Sequence, residues 1–291
     1  MSNRKLFILI TFIWSYIFWL TAIYLSYTQA LPIIPNEVII LDILKGTVQL
    51  EQTQIIITSL SLIAAFGPMV GAITIYLRDS KARDTFRKLF NFNFGYKNLL
   101  EVILIILSIG VLPSVIIGLA NTQFNLSLSI GMLILFGILF LIFQLLTSAT
   151  EEIGWRGYLL PEYLEEGMSM WKASLRIGLI WAVWHYPIFI YAYWQQSLPI
   201  FVILLTLIGF TVGTVAMSVI HTYYLVKSKS VVLSMIIHAT YNALPLTVGL
   251  LVTNSFTAAL ITQLGLWVVI WIIEQREGEI FDQQVALVDH T

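Results

Sequence analysis

The sequence predicts an all-α, polytopic membrane protein: a transmembrane bundle of about eight spanning helices with both termini on the cytoplasmic side. Three observations lead there. Of 291 residues, 58% are hydrophobic and 11% charged, whereas soluble domains carry about a quarter charged residues. The charges are also absent in blocks, with no Asp, Glu, Lys or Arg in 6–36, 52–77, 102–150, 177–226 or 230–273. A spanning helix needs about 20 apolar residues, so the first two blocks hold one helix each and the last three hold two. Finally, an even count puts every Lys and Arg except Lys45 on the side of the N-terminus, which the positive-inside rule makes cytoplasmic. The unbroken apolar runs exclude an outer-membrane barrel. The absence of cysteine excludes a disulfide scaffold and a thiol nucleophile, and a net charge of −1 leaves no basic face for nucleic acid.

The spans fall near 6–27, 55–77, 99–120, 126–149, 174–193, 200–224, 231–252 and 257–273. Turn chemistry separates those that share a block: Asn121-Thr122-Gln123, then Gln195-Gln196-Ser197-Leu198-Pro199, then Thr253-Asn254-Ser255. The first span is too long for the apolar region of a signal peptide and Thr28-Gln29-Ala30 is a poor cleavage site, so it reads as a retained anchor. The segment 78–98 is basic with interleaved Phe86, Phe90, Phe92 and Phe94, as for a helix along the cytoplasmic lipid interface or an ordinary positive loop. Residues 1–291 read as one integral membrane domain, without repeats.

Ionisable groups at membrane depth are costly and therefore mark function. Few are present: Glu151, Glu152 and Arg156 at the end of the fourth span, His185 in the fifth, His221 late in the sixth, and His238 with Asn242 in the seventh. Glu101 reads as a solvated helix end. Glu152 and Arg156 are four apart and share a helix face; Glu151 is rotated about 100° away, free to point into a cavity while the pair behind it braces the backbone. Two solvated glutamates at a helix end would be the plainer alternative. His185 precedes Pro187, which should kink the helix and open space. His238, Asn242 and Ser234 share one stripe, ahead of Pro245. Taken singly, each histidine could be glue between helices. Together, Glu151, His185, His238 and Asn242 come from three spans at similar depth. A carboxylate can take a proton from water, imidazoles can bind zinc or hold the nucleophile, and a carboxamide can donate to a developing oxyanion. No GxSxG elbow and no HExxH pair occurs.

Three motifs in this order resemble the CPBP family, the intramembrane proteases related to CAAX prenyl endopeptidases and to bacteriocin-processing or immunity proteins. They are Glu151-Glu152-Ile153-Gly154-Trp155-Arg156, Trp181 through His185, and His238 through Asn242; the resemblance covers 147–246. It implies an intramembrane endopeptidase in which Glu151 activates water, His185 and His238 hold the water or a metal, Asn242 stabilises the oxyanion, and Glu152 with Arg156 supports them. Were the reaction metal-dependent, zinc would be the cofactor and Glu151, His185 and His238 its ligands. The implied partners are a peptide or protein substrate, prenylated or a bacteriocin or pheromone precursor, and the lipid bilayer. The implied location is a cell membrane of bacterial type. Departures are Lys227-Ser228-Lys229-Ser230 in place of a Thr-Gly-Ser turn, Trp181 in place of Phe (a mild change), and His221, which has no counterpart and reads as an interfacial or packing residue. The rival reading is a non-catalytic immunity, scaffold or transport protein that keeps the polar cluster.

Overall fold

The structure, a computed structural model, describes residues 1–121, 129–251 and 255–287. Among these the chain is mostly helical, with short connections between helices and one isolated antiparallel bridge, between Ser169 and Gln284. Helix is what an apolar environment demands, because every backbone N–H and C=O must be paired within its own segment.

The N-terminal part begins with α1 (Asn3–Gln29), a short α2 (Asn36–Lys45), and α3 (Gln52–Ala64) followed by α4 (Gly67–Arg78). The sequence reading placed a single span at 55–77; instead α3 and α4 meet at 49°. Gly67-Pro68 is the cause: Pro68 stands in the first turn of α4, where its missing N–H costs nothing, but it cannot continue α3. The α2 helix lies between the first two expected spans. Next, α5 (Ser80–Leu89) occupies the basic segment, capped by the Asp79 carboxylate on Ala82 N–H. It docks on the protein through Ala82, Thr85 and Leu89, and Phe86 stacks on Tyr76 at 4.8 Å; Phe92 remains exposed.

In the remainder, α6 (Tyr96–Ile106) passes through a π-helical turn, Leu107–Val111, into α7 (Leu112–Asn121). Then come α8 (Ile130–Leu146), the four-residue α9 (Glu151–Gly154), a second π-helical turn at Trp155–Leu159, and α10 (Leu160–Glu165). Three long helices follow, α11 (Met170–Gln195), α12 (Ile200–Ser228) and α13 (Val231–Gly249), then α14 (Ser255–Glu277). Among the described residues six helices are long and apolar enough to span, seven if the bent pair counts as one, against the eight expected; α14 stands where the eighth was placed. Pro199 sits at the start of α12, as the turn there predicts. The other two turns fall on 122–128 and 252–254, outside the described residues. Pro187 and Pro245 lie inside α11 and α13, each of which continues past its proline.

Glu101 is not a solvated terminus. It bonds Lys227 and Arg276, each at 2.9 Å, and so ties α6 to α12 and α14. Asn3 bonds Asp79, Arg4 pairs with Glu166, Met170 N–H donates to Gln283 and Lys229 donates to Ala286. These contacts gather the start of α1, the α10–α11 and α12–α13 turns and the tail at one end of the bundle.

The core that holds the site is aromatic. Trp19 packs on Trp184 at 4.8 Å, Trp184 on Trp155 at 6.0 Å, and Trp155 on Phe7 at 5.6 Å. Close approach is decisive at Gly154, between the motif's glutamates and its arginine. A methyl group there would lie 2.5 Å from the Pro68 carbonyl oxygen and 2.7 Å from its carbon, backbone that has no room to yield. This contact seats α9 directly on the bend between α3 and α4.

Candidate active site

Thr147 has φ −120° and ψ −93°, which ends α8. Its hydroxyl donates back to Phe143 O and that of Thr150 to Thr147 O, satisfying carbonyls freed by the break. The chain then re-enters helix at Glu151. Because of the break, Glu151 and Glu152 are not at an exposed helix end: they are 3% and 0% exposed, enclosed by α4, α11, α12 and α13.

The two neighbouring carboxylates have different surroundings. Glu152 faces inward to charge. Its Oε2 lies 3.0 Å from Arg156 Nη1, and its Oε1 accepts from His238 Nδ1 at 2.8 Å. Arg156 is itself fully buried, with its guanidinium 4.6 Å from the Trp181 ring centre. Glu151 instead lines a cavity of about 300 Å³ and accepts from the Trp181 indole N–H at 2.7 Å through Oε2. His185, His238 and Asn242 line the same cavity, so the structure brings all four of these predicted residues around one space.

The ring nitrogens have settled partners. An ionised carboxylate only accepts, so His238 Nδ1 carries the proton it gives to Glu152. His185 Nδ1 lies 3.0 Å from the Trp181 carbonyl oxygen and must donate as well. In neutral rings both Nε2 atoms then keep a lone pair. Asn242 Nδ2 donates to Gln144 Oε1 at 3.0 Å and holds a second hydrogen besides. The α12 residues Phe210 and Met217, with Phe189 and Tyr241, make the rest of the lining largely apolar.

Glu151, His185 and His238 are chemically a zinc donor set. The open Nε2 lone pairs of both histidines could serve as ligands, but as placed no three His, Asp or Glu side chains among the described residues converge to hold a metal ion. The donors do not fit a zinc centre in this arrangement.

Three contributors were not visible as such in the sequence. Trp181, read only as an aromatic, supplies the N–H on Glu151, touches His238 at 5.3 Å and lies against Arg156; phenylalanine could not donate, so the change from Phe is not mild. His221 is fully buried, 3.7 Å from Glu152 Oε2 and 6.0 Å ring to ring from His238, rather than at an interface. Gln144 anchors Asn242. The available signal was a lone carboxamide near the end of apolar α8 (Gln144) and a polar residue about every turn along the second half of α12 (Thr214, Ser218, His221).

The fold and this enclosure define a membrane-embedded helical protein with a chamber of about 300 Å³ among its helices, mostly apolar and set with a few polar groups. Comparison with known proteins carries this further. Residues 131–244 match the family described as type II CAAX prenyl endopeptidase Rce1-like. A "CAAX prenyl protease 2" of Methanococcus maripaludis is 28% identical over 252 residues, covering 82% of this chain and 83% of the relative. Together they support the CPBP/CAAX protease family for this chain. The chain is accordingly an integral, multi-pass membrane protein, and the family supports an intramembrane endopeptidase activity on a peptide or protein met at the membrane.

Proposed function

We propose that the chain hydrolyses a peptide bond with water activated by Glu151. The supporting observation is that Glu151 of α9, His185 of α11, and His238 and Asn242 of α13 line one cavity. In this reading a water in the cavity gives one proton to Glu151 while its oxygen attacks the scissile carbonyl carbon. The water's remaining hydrogen donates to one of the two imidazole lone pairs, His185 Nε2 or His238 Nε2, which sets the direction of attack. The carbonyl oxygen becomes an oxyanion, and the uncommitted Asn242 N–H donates to it. Collapse breaks the C–N bond, and Glu151 returns its proton to the leaving amine. Trp181 holds Glu151 in place, and Glu152, fixed by Arg156, holds His238.

Water access is needed, and on the eight-span reading, which places 14 of 15 basic residues on one side, the chamber is served from the cytoplasm. The substrate proposed first is a prenylated CAAX-type peptide, the class named in the family description and in the relative's name. The apolar lining from Phe189, Phe210 and Met217 suits apolar residues beside the scissile bond.

The test uses purified protein in detergent with an internally quenched farnesylated CAAX peptide and its unprenylated twin. Wild type cleaves the first; Glu151→Gln lowers the rate about 10²–10⁴-fold while the protein still inserts and elutes as wild type. Undiminished cleavage by that variant sinks the reading, and equal cleavage of both peptides removes the prenyl requirement. EDTA treatment leaves the rate unchanged; a loss restored by zinc would bring metal into the reaction.

A further inference from the structure

Gln263 lies on α14, outside residues 131–244 of the family match and outside all three motifs. It nevertheless lines the cavity that Glu151, His238 and Asn242 line. It gets there across α12, at Gly213. A methyl group on Gly213 would overlap Gln263 Oε1 and lie 2.5 Å from its Cδ and 2.9 Å from its Nε2. The missing side chain at Gly213 is therefore the notch through which the carboxamide passes.

Gln263 Oε1 is buried and accepts no hydrogen bond. Other buried polar atoms lack partners too, among them those of His221, Ser234 and Tyr158, but they do not line the cavity. Among the described residues, Gln263 is the cavity-lining side chain with a buried acceptor left open. Buried carbonyl oxygens are normally paired, so an unpaired one beside a chamber points to a donor that arrives with the ligand. The chamber's other polar groups leave this need unmet. Glu151 and the imidazoles are themselves acceptors, and Asn242 supplies a donor for a carbonyl oxygen. Thr214 gives its hydroxyl to Phe210 O, and the hydroxyls of Ser148 and Tyr241 make no bond to Gln263 Oε1. An extended peptide brings both complements, a C=O for Asn242 and an N–H for a nearby acceptor.

Resting on the endopeptidase reading above, we infer that Gln263 is a substrate-binding residue: its Oε1 accepts a main-chain N–H of the bound peptide and fixes the register of the scissile bond. Gly213 is the positioning residue that admits it. Main-chain recognition also makes this contact independent of the side chain on that substrate residue.

The experiment uses full-length protein in detergent and a fluorescent farnesylated CAAX peptide, with analogues N-methylated at each amide around the scissile bond. Binding is read by anisotropy on the Glu151→Gln background, so no turnover is needed; KM and kcat are read on the active protein. Gln263→Leu raises KM and Kd about tenfold and leaves kcat within about twofold. Gly213→Ala, which displaces the amide without removing it, does the same. N-methylation at one amide weakens binding about tenfold in the Gln263-containing protein and has no further effect in Gln263→Leu. Unchanged KM and Kd in Gln263→Leu, or N-methylation that weakens both proteins equally at every position, overturns the inference and leaves Gln263 with a water or a packing role. So does failure of the protein to bind any of the peptides. Peptide binding with normal Gln263 dependence but no cleavage by wild type overturns the protease reading alone.

Discussion

The two halves of α12 show how this molecule differs from a soluble one. From Ile200 to Val212 the helix is largely exposed, with Leu204, Leu205 and Ile208 more than half open. From Gly213 to Leu225 every residue is buried, and that half carries Thr214, Ser218, His221 and Thr222. The apolar half thus faces out and the more polar half in. Lipid makes no distinction between an exposed and a packed leucine, so burial is decided by packing and hydrogen bonds rather than by hydrophobicity. A site with two carboxylates, an arginine and three histidines can then be built at the centre, provided its members satisfy one another.

Four outcomes would break or sharpen that contrast. The largest belongs to the buried charges. Glu152→Ala leaves Arg156 buried without a counter-ion and His238 without an acceptor, and should cost about 3–5 kcal/mol, read as a lower unfolding temperature in detergent. A stable Glu152→Ala protein would mean that the charges reach water. Next come matched truncations on one helix. Leu225→Ala in the enclosed half should cost about 2–5 kcal/mol, whereas Leu204→Ala in the outer half should stay within about 0.5 kcal/mol. Equal costs would abolish the distinction between the halves.

A smaller effect is expected at Trp181→Phe, which keeps the ring but removes the donor on Glu151. A hydrogen bond to a charged group contributes about 1.5–3 kcal/mol, so kcat should fall at least about tenfold with little change in unfolding temperature. An unaltered kcat would show that Glu151 needs no such restraint. The smallest effect is predicted for His221→Phe. Both ring nitrogens of His221 lack partners, so replacing the ring by an apolar one of similar shape should change stability by less than about 1 kcal/mol and cleavage by less than about threefold. A hundredfold loss would place His221 in the catalytic machinery through Glu152.

Much of the site was legible along the chain. Glu152 and Arg156 sit four apart and do pair; Glu151, next to them, does turn to the chamber. His185, His238 and Asn242 stood out because ionisable and amide groups are rare among apolar neighbours. The bend at Gly67-Pro68 was legible in principle, since that dipeptide is the punctuation that ends α3, but an uncharged stretch of span length outweighed it. What stayed hidden depends on partners from distant segments. Nothing local says that His238 bonds Glu152, 86 residues away, or that Asn242 rests on Gln144, 98 residues away.

By itself, then, the sequence determined the class of molecule, most of the long helices and the central polar residues, because composition and spacing act locally and unbroken apolar runs in lipid can pair their backbone only as helix. The tertiary structure alone decided which carboxylate faces charge and which faces the chamber, that Trp181 donates to Glu151, and that Gln263 passes Gly213 to reach the site. Helical periodicity assigns a residue to a face, but only the packing of one helix against another gives that face a neighbour.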